Sequence, residues 1–347
     1  MFIAALRYIL LACVMLVFPP SATNAFAQAE MPNLAGKTVR IIIGFGVGGE
    51  YGLYSQLVAS HIGKHVPGKP TVVVQEMPGA GGVQSLNYLA KIAPRDGTTL
   101  TLAPVPIVQD GLFNPAAQFD PASFQWIGRL AGLVQAGVVW SKSGVTTLED
   151  AKSKILVAGG GGLAPPTLNP LIMNEFLGTK FKVVTGYKGT AEVAIAWEKG
   201  EVDMLTTSWD TISLRYGEKI RSGEARPLYV YSMAPVRELP STQSIATLGR
   251  NEQENAFLQI YTVGTAIGRS LAAPPGMASE LVGMWRQAFD KMIEDKDFRA
   301  ATEKGGIRLD PMSGERIDGM VKSAMAQSPS NIKSAKQIYE KLTASLR

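Results

Sequence analysis

The sequence predicts an α/β protein made of two α/β lobes with a cleft between them. Two neighbouring segments, VRIIIGFGVGGEYGLYSQLVASHI (Val39 to Ile62) and TVVVQEMPGAGGVQSLNYLAKI (Thr71 to Ile92), each read as an apolar strand, a glycine-rich turn and an amphipathic helix. Strand and helix patterns keep alternating afterwards, which is typical of parallel α/β sheets. Two long runs that read as extended, Gln125 to Trp140 and Ala256 to Ile267, enter and leave the middle of the chain. We therefore expect a discontinuous first lobe around an inserted second lobe, with a small-molecule cleft between them.

Residues 1–27 are predicted to be a signal peptide. Arg7 gives a short positive region, Tyr8 to Phe18 is apolar, and Ala25-Phe26-Ala27 has the small-x-small pattern of a cleavage site. The apolar run is too short to span a bilayer comfortably. We expect an exported chain that begins at Gln28.

The first lobe is predicted over residues 28–128 and 253–347, and the second over residues 129–252. In the first lobe, the two opening units are followed by a strand over Thr98 to Ala103 and, late in the chain, by a helix over Ala278 to Ile293 that Pro274-Pro275 opens. The predicted second-lobe strands are Ile155 to Ala158, Phe181 to Thr185, Val202 to Thr206 and Pro227 to Tyr231. The predicted second-lobe helices are Leu168 to Leu177, Thr190 to Lys199 and Asp210 to Ser222.

Composition argues against several classes of function. The sequence has 347 residues, 46% of them apolar, and a formal net charge of +5. Lysines and arginines are spread evenly, so we expect no nucleic-acid partner. The only cysteine, Cys13, lies in the predicted signal, which leaves the mature chain without disulfides or thiol chemistry. Leu10 to Cys13 faintly resembles a lipoprotein cleavage box, but it lies close behind Arg7, and cleavage after Ala27 is favoured.

Two glycine-rich turns are the most informative motif. We call Gly46–Gly49 the first glycine turn and Pro78–Gly82 the second glycine turn. Glycine lets the main chain approach a ligand closely, and the helix that follows presents unpaired N–H groups and a positive dipole end. The two turns together predict an anion site made largely of backbone. A third run, Gly159 to Gly162, is predicted to face the ligand from the second lobe, in preference to being a flexible connector.

The first glycine turn also fits a dinucleotide site. Gly44-x-Gly46-x-x-Gly49 matches the dinucleotide-binding fingerprint, and Glu76 stands where the ribose-binding acid would be expected. However, an exported chain meets little NAD, the second glycine turn repeats the same device, and no catalytic base accompanies the site. We therefore expect no cofactor.

Metal and hydrolase chemistry have weaker support in the sequence. His61 and His65 have the i,i+4 spacing of a metal site, but there is no third histidine and no zincin pattern. Ser208 is not part of a G-x-S-x-G elbow, and no histidine lies near it in the sequence. We expect no metal and no enzyme activity.

Several short motifs follow one another in an order that resembles a known family. They are the strand with Gly48-Gly49, Pro78-Gly79-Ala80-Gly81-Gly82, Asp96-Gly97, Tyr187-Lys188-Gly189-Thr190, Gly200-Glu201-Val202-Asp203 and Pro274-Pro275-Gly276. Across nearly the whole mature chain, the sequence resembles the extracytoplasmic solute-binding proteins of tripartite tricarboxylate transporters, the Bug family. The resemblance implies a type II periplasmic binding protein that closes on a small organic carboxylate and delivers it to a membrane permease. We expect it to act as a monomer.

In that family, backbone groups and ordered waters of the first two turns hold the ligand carboxylate, and the second lobe adds contacts. Carried over, with neighbouring loops included, the candidate ligand-binding residues are Gly46, Val47, Gly48, Gly49, Glu50, Tyr51, Gly79, Ala80, Gly81, Gly82, Pro104, Val105, Gly160, Gly161, Tyr187, Thr190, Ser208 and Trp209.

The chain departs from the family pattern at side chains expected to face the ligand. Glu50, Tyr51 and Gly52 stand where the family has a variable residue, Thr or Ser, and Asp or Asn, and Gln56 replaces a common Arg. Because the backbone turns are kept while these side chains differ, we expect a monocarboxylate with an apolar or aromatic body. Tyr51 is predicted to set specificity, with simple packing at the cleft rim as the alternative. An exported sensor that feeds a membrane receptor is the alternative function.

Overall fold

The computed structural model describes residues 32–187, 189–344 and 346. The predicted signal peptide, including Arg7, Cys13 and the cleavage site after Ala27, lies outside these residues, as does Lys188. In chain order the strands are β1 (Thr38–Ile43), β2 (Thr71–Glu76), β3 (Thr99–Leu102), β4 (Gln125–Ala131), β5 (Gln135–Trp140), β6 (Ile155–Gly159), β7 (Lys180–Val184), β8 (Met204–Ser208), β9 (Ala225–Tyr231), β10 (Gln243–Ser244), β11 (Arg269–Ala273) and β12 (Met312–Ser313). The helices are α1 (Glu50–Ile62), α2 (Val83–Lys91), α3 (Ile107–Phe113), α4 (Asp150–Ser153), α5 (Pro165–Leu177), α6 (Thr190–Lys199), α7 (Trp209–Arg221), α8 (Glu252–Ile267), α9 (Ser279–Glu294), α10 (Lys296–Lys304), α11 (Gly314–Met325) and α12 (Pro329–Ala344).

Two six-stranded mixed sheets organise the fold. The first has the spatial order β12-β4-β11-β3-β1-β2, and the second has the order β10-β9-β5-β8-β6-β7. In the first sheet β1 is parallel to β2 and β3, whereas β11 is antiparallel to β3 and β4. In the second, β6 is parallel to β7 and β8, whereas β5 is antiparallel to β8 and β9. Each sheet and its helices form one lobe, which confirms the predicted fold class. The residue limits of the lobes stay a prediction.

Strand β1 shows why the first lobe folds as the sequence predicts. Val39, Ile41, Ile42 and Ile43 are all fully buried. A nearly continuous apolar run of this kind suits a central parallel strand that is covered on both faces. The chain then leaves the sheet through the first glycine turn and enters α1, so the turn lies at the carboxyl end of a central strand.

The second lobe also follows the predicted pattern closely. The helix predicted over Thr190 to Lys199 matches α6 at both ends, and the predicted strands and other helices agree with the observed ones within a few residues. A stacked pair of tryptophans lies in its core: the ring centroids of Trp140 and Trp197 are 4.0 Å apart, with 10° between the planes. The indole N–H of Trp140 donates to the carbonyl of Trp197 at 2.9 Å.

The prediction of an extended run over Ala256 to Ile267 is wrong, because these residues belong to α8. Asn251 caps this helix, and its side chain accepts a hydrogen bond from the N–H of Glu254 at 2.9 Å. Glu252 and Glu254 lie in the first turn, where the helix dipole favours acidic groups. The helix is buried on almost every side, so it lacks the polar face that would reveal a 3.6-residue period.

The chain passes between the two sheets at positions that hydrogen bonds tie together. The N–H of Leu133, between β4 and β5, donates to the carbonyl of Thr265 near the end of α8 at 2.8 Å. The guanidinium of Arg129 donates to the carbonyl of Ala266 at 2.6 Å and to the backbone and carboxylate oxygens of Asp310 at 3.0 and 2.6 Å. The two crossing segments are therefore fastened to each other and to the first sheet.

Candidate ligand-binding site

A cleft of about 1120 Å³ is lined by residues of both lobes. The first lobe contributes the loop after β1, the start of α1, the second glycine turn, the loop after β3, α3 and β11. The second lobe contributes the glycine run after β6, the start of α5, and the ends of β5 and β9. Residues near the end of the described chain, mostly on α12, complete the lining.

Five of the predicted site residues line this cleft: Tyr51, Ala80, Gly81, Val105 and Gly161. The other predicted residues do not belong to its lining: Gly46, Val47, Gly48, Gly49, Glu50, Gly79, Gly82, Pro104, Gly160, Tyr187, Thr190, Ser208 and Trp209. The structure therefore brings the second glycine turn, Tyr51 and the glycine run of the second lobe around one space.

The second glycine turn has a backbone that few sequences can adopt. Gly79, Ala80, Gly81 and Gly82 have φ angles of 150°, 48°, 67° and 101°. A side chain at Gly82 would collide with Pro104, whereas a Cβ at Gly81 would meet no atom within 4 Å. Gly82 is thus required for close packing, and Gly81 exposes its backbone to the open cleft.

The first glycine turn is arranged differently, because it binds a carboxylate of the protein itself. The N–H of Val47 donates to Oε1 of Glu76, which is the last residue of β2. Gly49 is the N-cap of α1 and has no side-chain cap. A backbone donor of the predicted anion site therefore already has an anionic partner.

A buried arginine is the main feature of the cleft that the sequence analysis missed. Arg269 is 5% exposed, and its Nη2 donates to Oε2 of Glu50 at 2.6 Å. Its guanidinium carbon lies 4.5 Å from the ring centroid of Tyr51 and 5.9 Å from that of Tyr54. We call Arg269, Glu50, Tyr51 and Tyr54 the arginine cluster. A single charged residue at the start of a short strand of small and apolar residues, RSLAA, was the signal in the sequence.

Arg269 has unused hydrogen-bonding capacity. Nε and Nη1 are buried and have no acceptor, although buried N–H groups are nearly always paired. Burial acts to lower the pKa of Arg269, but the negative charge of Glu50 opposes it, and the net pKa lies above its ordinary value. A permanent cation therefore lines the cleft, and two of its nitrogens are enclosed by protein without an acceptor.

Tyr51 connects the arginine cluster to the loop after β3. Its ring stacks on Phe45 with 4.4 Å between centroids, and its hydroxyl accepts a hydrogen bond from the N–H of Val105 at 2.9 Å. Burial raises the pKa of Tyr51 above its ordinary value, so the phenol stays neutral and keeps a proton to donate. Burial likewise raises the pKa of Tyr54 to about 12.

The second-lobe side of the cleft is built by the glycine run. The N–H of Gly160 donates to the carbonyl of Val184 at 2.9 Å, and a Cβ at Gly161 would lie 2.5 Å from the carbonyl oxygen of Tyr187. Ser208 instead caps α7 through the N–H of Thr211 at 3.3 Å. Trp209 is packed in the second-lobe core and is 8% exposed.

Charged residues that the sequence analysis did not predict line another part of the cleft. They are Asp110 on α3 together with Lys336 and Glu340 on α12. Burial raises the pKa of Asp110 to about 6, while a hydrogen bond from Asn114 opposes the shift. Helix α12 lies more than two hundred residues from the glycine turns, so only the tertiary fold brings it here.

Neither a metal-binding cluster nor a membrane-spanning helix is found among the described residues. No group of three or more His, Cys, Asp or Glu side chains in this part of the chain could hold a metal ion. His61 contacts the carbonyl of Leu57 at 2.8 Å, and His65 lies 3.1 Å from the carboxylate of Asp295. None of the described helices combines the length and the apolar character needed to cross a bilayer.

Comparison with known proteins decides the family. The model of the family described as "Tripartite tricarboxylate transporter family receptor" (TctC) matches residues 57–336. This chain belongs to the TctC receptor family. The resemblance seen in its motifs is thereby confirmed, and the family is one of solute-binding receptors.

Individual relatives of this TctC receptor agree with that conclusion. A Cupriavidus necator protein described as "UPF0065 protein in gbd 5'region" is 26% identical over 290 residues, which cover 80% of this chain and 81% of the relative. A TctC solute-binding protein from Polaromonas has a TM-score of 0.64 at 18% identity, covering 88% of this chain and 98% of that one. An R. palustris protein solved with adipate has a TM-score of 0.58 at 19% identity, covering 86% and 97%. At these identities the solved structures establish the fold, that of a two-lobed periplasmic binding protein.

Proposed function

We propose that this TctC receptor captures a small organic carboxylate in the cleft and delivers it to the membrane permease of a tripartite tricarboxylate-type transporter. The observation that carries the proposal is a buried cation, Arg269, which has two nitrogens without an acceptor and lines a cleft with mainly aromatic and aliphatic walls. Such a cleft favours a ligand with one anionic group and an apolar body. One structural relative, the R. palustris protein, was likewise solved with a small organic acid, adipate.

The same proposal includes where the protein works and with which partner. Membership of the receptor family supports a periplasmic, monomeric protein whose lobes close on the solute, and closure would form the surface that the permease recognises. We expect binding without chemical turnover. The described lining residues include no histidine or cysteine. Among the described contacts, none joins the acids Asp110 and Glu340 to a basic side chain.

The proposal is tested by identifying the bound solute. The protein is purified from periplasm without added organic acids and then denatured, and the released small molecules are analysed by mass spectrometry. An organic carboxylate in stoichiometric amount, which stabilises the refolded protein by mass action, is the expected result. Release of a neutral sugar or a free cation, or conversion of the acid during incubation with the protein, would contradict the proposal.

A further inference from the structure

We infer that Arg269, in place of the first glycine turn, forms the direct ion pair with the ligand carboxylate in this protein, and that the preferred ligand is a monocarboxylate. The inference rests on the proposed function and specifies how its site recognises the anion. Three observations carry it: the incomplete hydrogen bonding of Arg269, the bond between the first glycine turn and Glu76, and the balance of charges along the cleft.

Arg269 can bind a carboxylate through the planar shape of its guanidinium. A guanidinium is a planar fork that binds a carboxylate through two parallel N–H donors. Glu50 uses one nitrogen, Nη2, and its side chain is 51% exposed, so water competes for it. Nε and Nη1 stay without acceptors in a residue that is 5% exposed and lines the cleft. Each of these nitrogens forms a parallel donor pair with Nη2, so a ligand carboxylate that takes the place of the half-exposed Glu50 at Nη2 would also satisfy one of them.

The first glycine turn is less suited to a ligand carboxylate, because Glu76 already binds it. The N–H of Val47 is engaged by the carboxylate of Glu76, and the residues from Gly46 to Gly49 do not line the cleft. A ligand carboxylate at this turn would have to displace Glu76 and would meet its negative charge. The same ligand meets a positive charge at Arg269. Electrostatics therefore favours Arg269 over the turn.

The charges that line the cleft favour a ligand with a single carboxylate. The charged lining residues are two cations, Arg269 and Lys336, and two anions, Asp110 and Glu340. Glu50 adds a further negative charge beside Arg269. One ligand carboxylate is balanced by Arg269, but a second would face a region in which Lys336 is already accompanied by two acids. The rings of Phe45 and Tyr51 offer an apolar surface to the rest of the ligand.

The test measures the affinity of the mature, full-length protein for benzoate, phenylacetate and hexanoate by calorimetry, with adipate and malate as dicarboxylate probes. We expect at least one monocarboxylate to bind wild type more tightly than both diacids. Arg269→Gln should weaken that binding by about 10- to 100-fold, which is the range for losing charge-assisted hydrogen bonds. Arg269→Lys should restore only part of it, because the ammonium lacks the fork.

Three further variants separate direct binding from a structural effect. Arg129→Lys is the matched control, because Arg129 is as buried as Arg269 on the adjacent strand but bonds only to protein oxygens; it should lower stability and leave affinity unchanged. Glu76→Ala frees the N–H of Val47 and should leave affinity within about twofold. Glu50→Gln removes the competing charge and should tighten binding at least about threefold.

The outcomes distinguish the inference from the proposed function. Unchanged affinity in Arg269→Gln, tighter binding in Glu76→Ala, or preference of wild type for a diacid would overturn the inference and leave the proposed function in place. If Arg269→Gln does not fold, Glu50→Gln decides: unchanged or weaker binding overturns the inference. If wild type binds none of the five acids, and mass spectrometry finds no other carboxylate in the purified protein, both fail together.

Discussion

Aromatic rings keep the charge of Arg269 available in a place that water hardly reaches. Tyr51 and Tyr54 present their ring faces to the guanidinium, and cation–π contacts with a desolvated cation contribute about 2 kcal/mol. Tyr51 is therefore both a wall of the cleft and a support for the cation.

The role of Tyr51 in the cleft can be tested by two substitutions. Tyr51→Phe should keep the ring on Arg269, leave the N–H of Val105 unpaired and cost about 1–3 kcal/mol of stability. Tyr51→Thr should remove the ring and admit branched acids. Thermal shift with benzoate and citrate measures both effects: citrate should stabilise Tyr51→Thr and not wild type. The same ligand profile in wild type and Tyr51→Thr would show that Tyr51 packs at the rim and does not select the ligand.

Asp110 provides a test by pH. Burial raises its pKa from the ordinary value near 4 to about 6, so the folded protein binds this proton more tightly than the unfolded chain does. As pH rises from about 4 to about 6, the unfolded chain loses the proton first, and stability falls across this window. Asp110→Asn should therefore be more stable than wild type at pH 7, by up to about 3 kcal/mol, and similar to it below pH 4. Urea unfolding at pH 4 and pH 7 measures the difference; a gain that is larger at pH 4 contradicts the assignment.

Among the secondary-structure elements, the glycine turns and α8 show what the sequence could and could not reveal. The second glycine turn was predictable because four successive residues need φ angles that glycine tolerates best. Helix α8 was not, because burial on nearly all sides removes the polar stripe by which a helix is recognised. Arg269 and α12 were missed for another reason: their place in the cleft depends on antiparallel pairing of β11 and on the return of the chain terminus, which no local pattern encodes.

The second glycine turn can be tested against a control glycine that has a similar φ angle. Gly81 and Gly178 have φ angles of 67° and 74°, and a Cβ at either would meet no atom within 4 Å. Valine at either position should cost at least about 1–2 kcal/mol because an L-residue is strained in this region. Only Gly81→Val should also weaken carboxylate binding, since Gly178 ends α5 away from the cleft lining.

Calorimetry with the solute identified by mass spectrometry, at a temperature where both variants are folded, separates strain from obstruction. Equal affinities in Gly81→Val and Gly178→Val would remove the second glycine turn from the binding site.

In the whole molecule, contacts of two different strengths hold the two lobes together. The Arg129 network fastens the crossings through buried hydrogen bonds, whereas surface ion pairs span the lobes elsewhere. One such pair joins Arg308, on the first-lobe chain before β12, to Glu238, on the second-lobe chain after β9, at 2.8 Å. Its exposed position makes it weak, which suits a contact that would form and break under the proposed closure of the lobes.

We expect Glu238→Gln to weaken solute binding by about two- to fivefold at low ionic strength, corresponding to about 0.4–1 kcal/mol. High salt should abolish the difference because it screens the pair. Glu224→Gln is the control, since Glu224 pairs with Lys219 at 3.0 Å within the second lobe. Titration calorimetry at two salt concentrations provides the measurement. An equal effect of both variants, or an effect that salt does not change, would show that the Arg308–Glu238 pair does not help to hold the lobes together around the solute.

The placement of the aromatic residues has an optical consequence. The five tryptophans lie in the cores and are at most 8% exposed, whereas the described cleft lining contains phenylalanine and tyrosine rings and no tryptophan. Tryptophan fluorescence should therefore respond to lobe rearrangement and to melting of the stacked Trp140–Trp197 pair, but only indirectly to the solute. Ultraviolet difference absorption of tyrosine should respond to the solute itself, through Tyr51, Tyr231 and Tyr261. The protein thus carries two intrinsic spectroscopic signals, by which filling of the cleft and movement of the lobes can be timed separately without any attached dye.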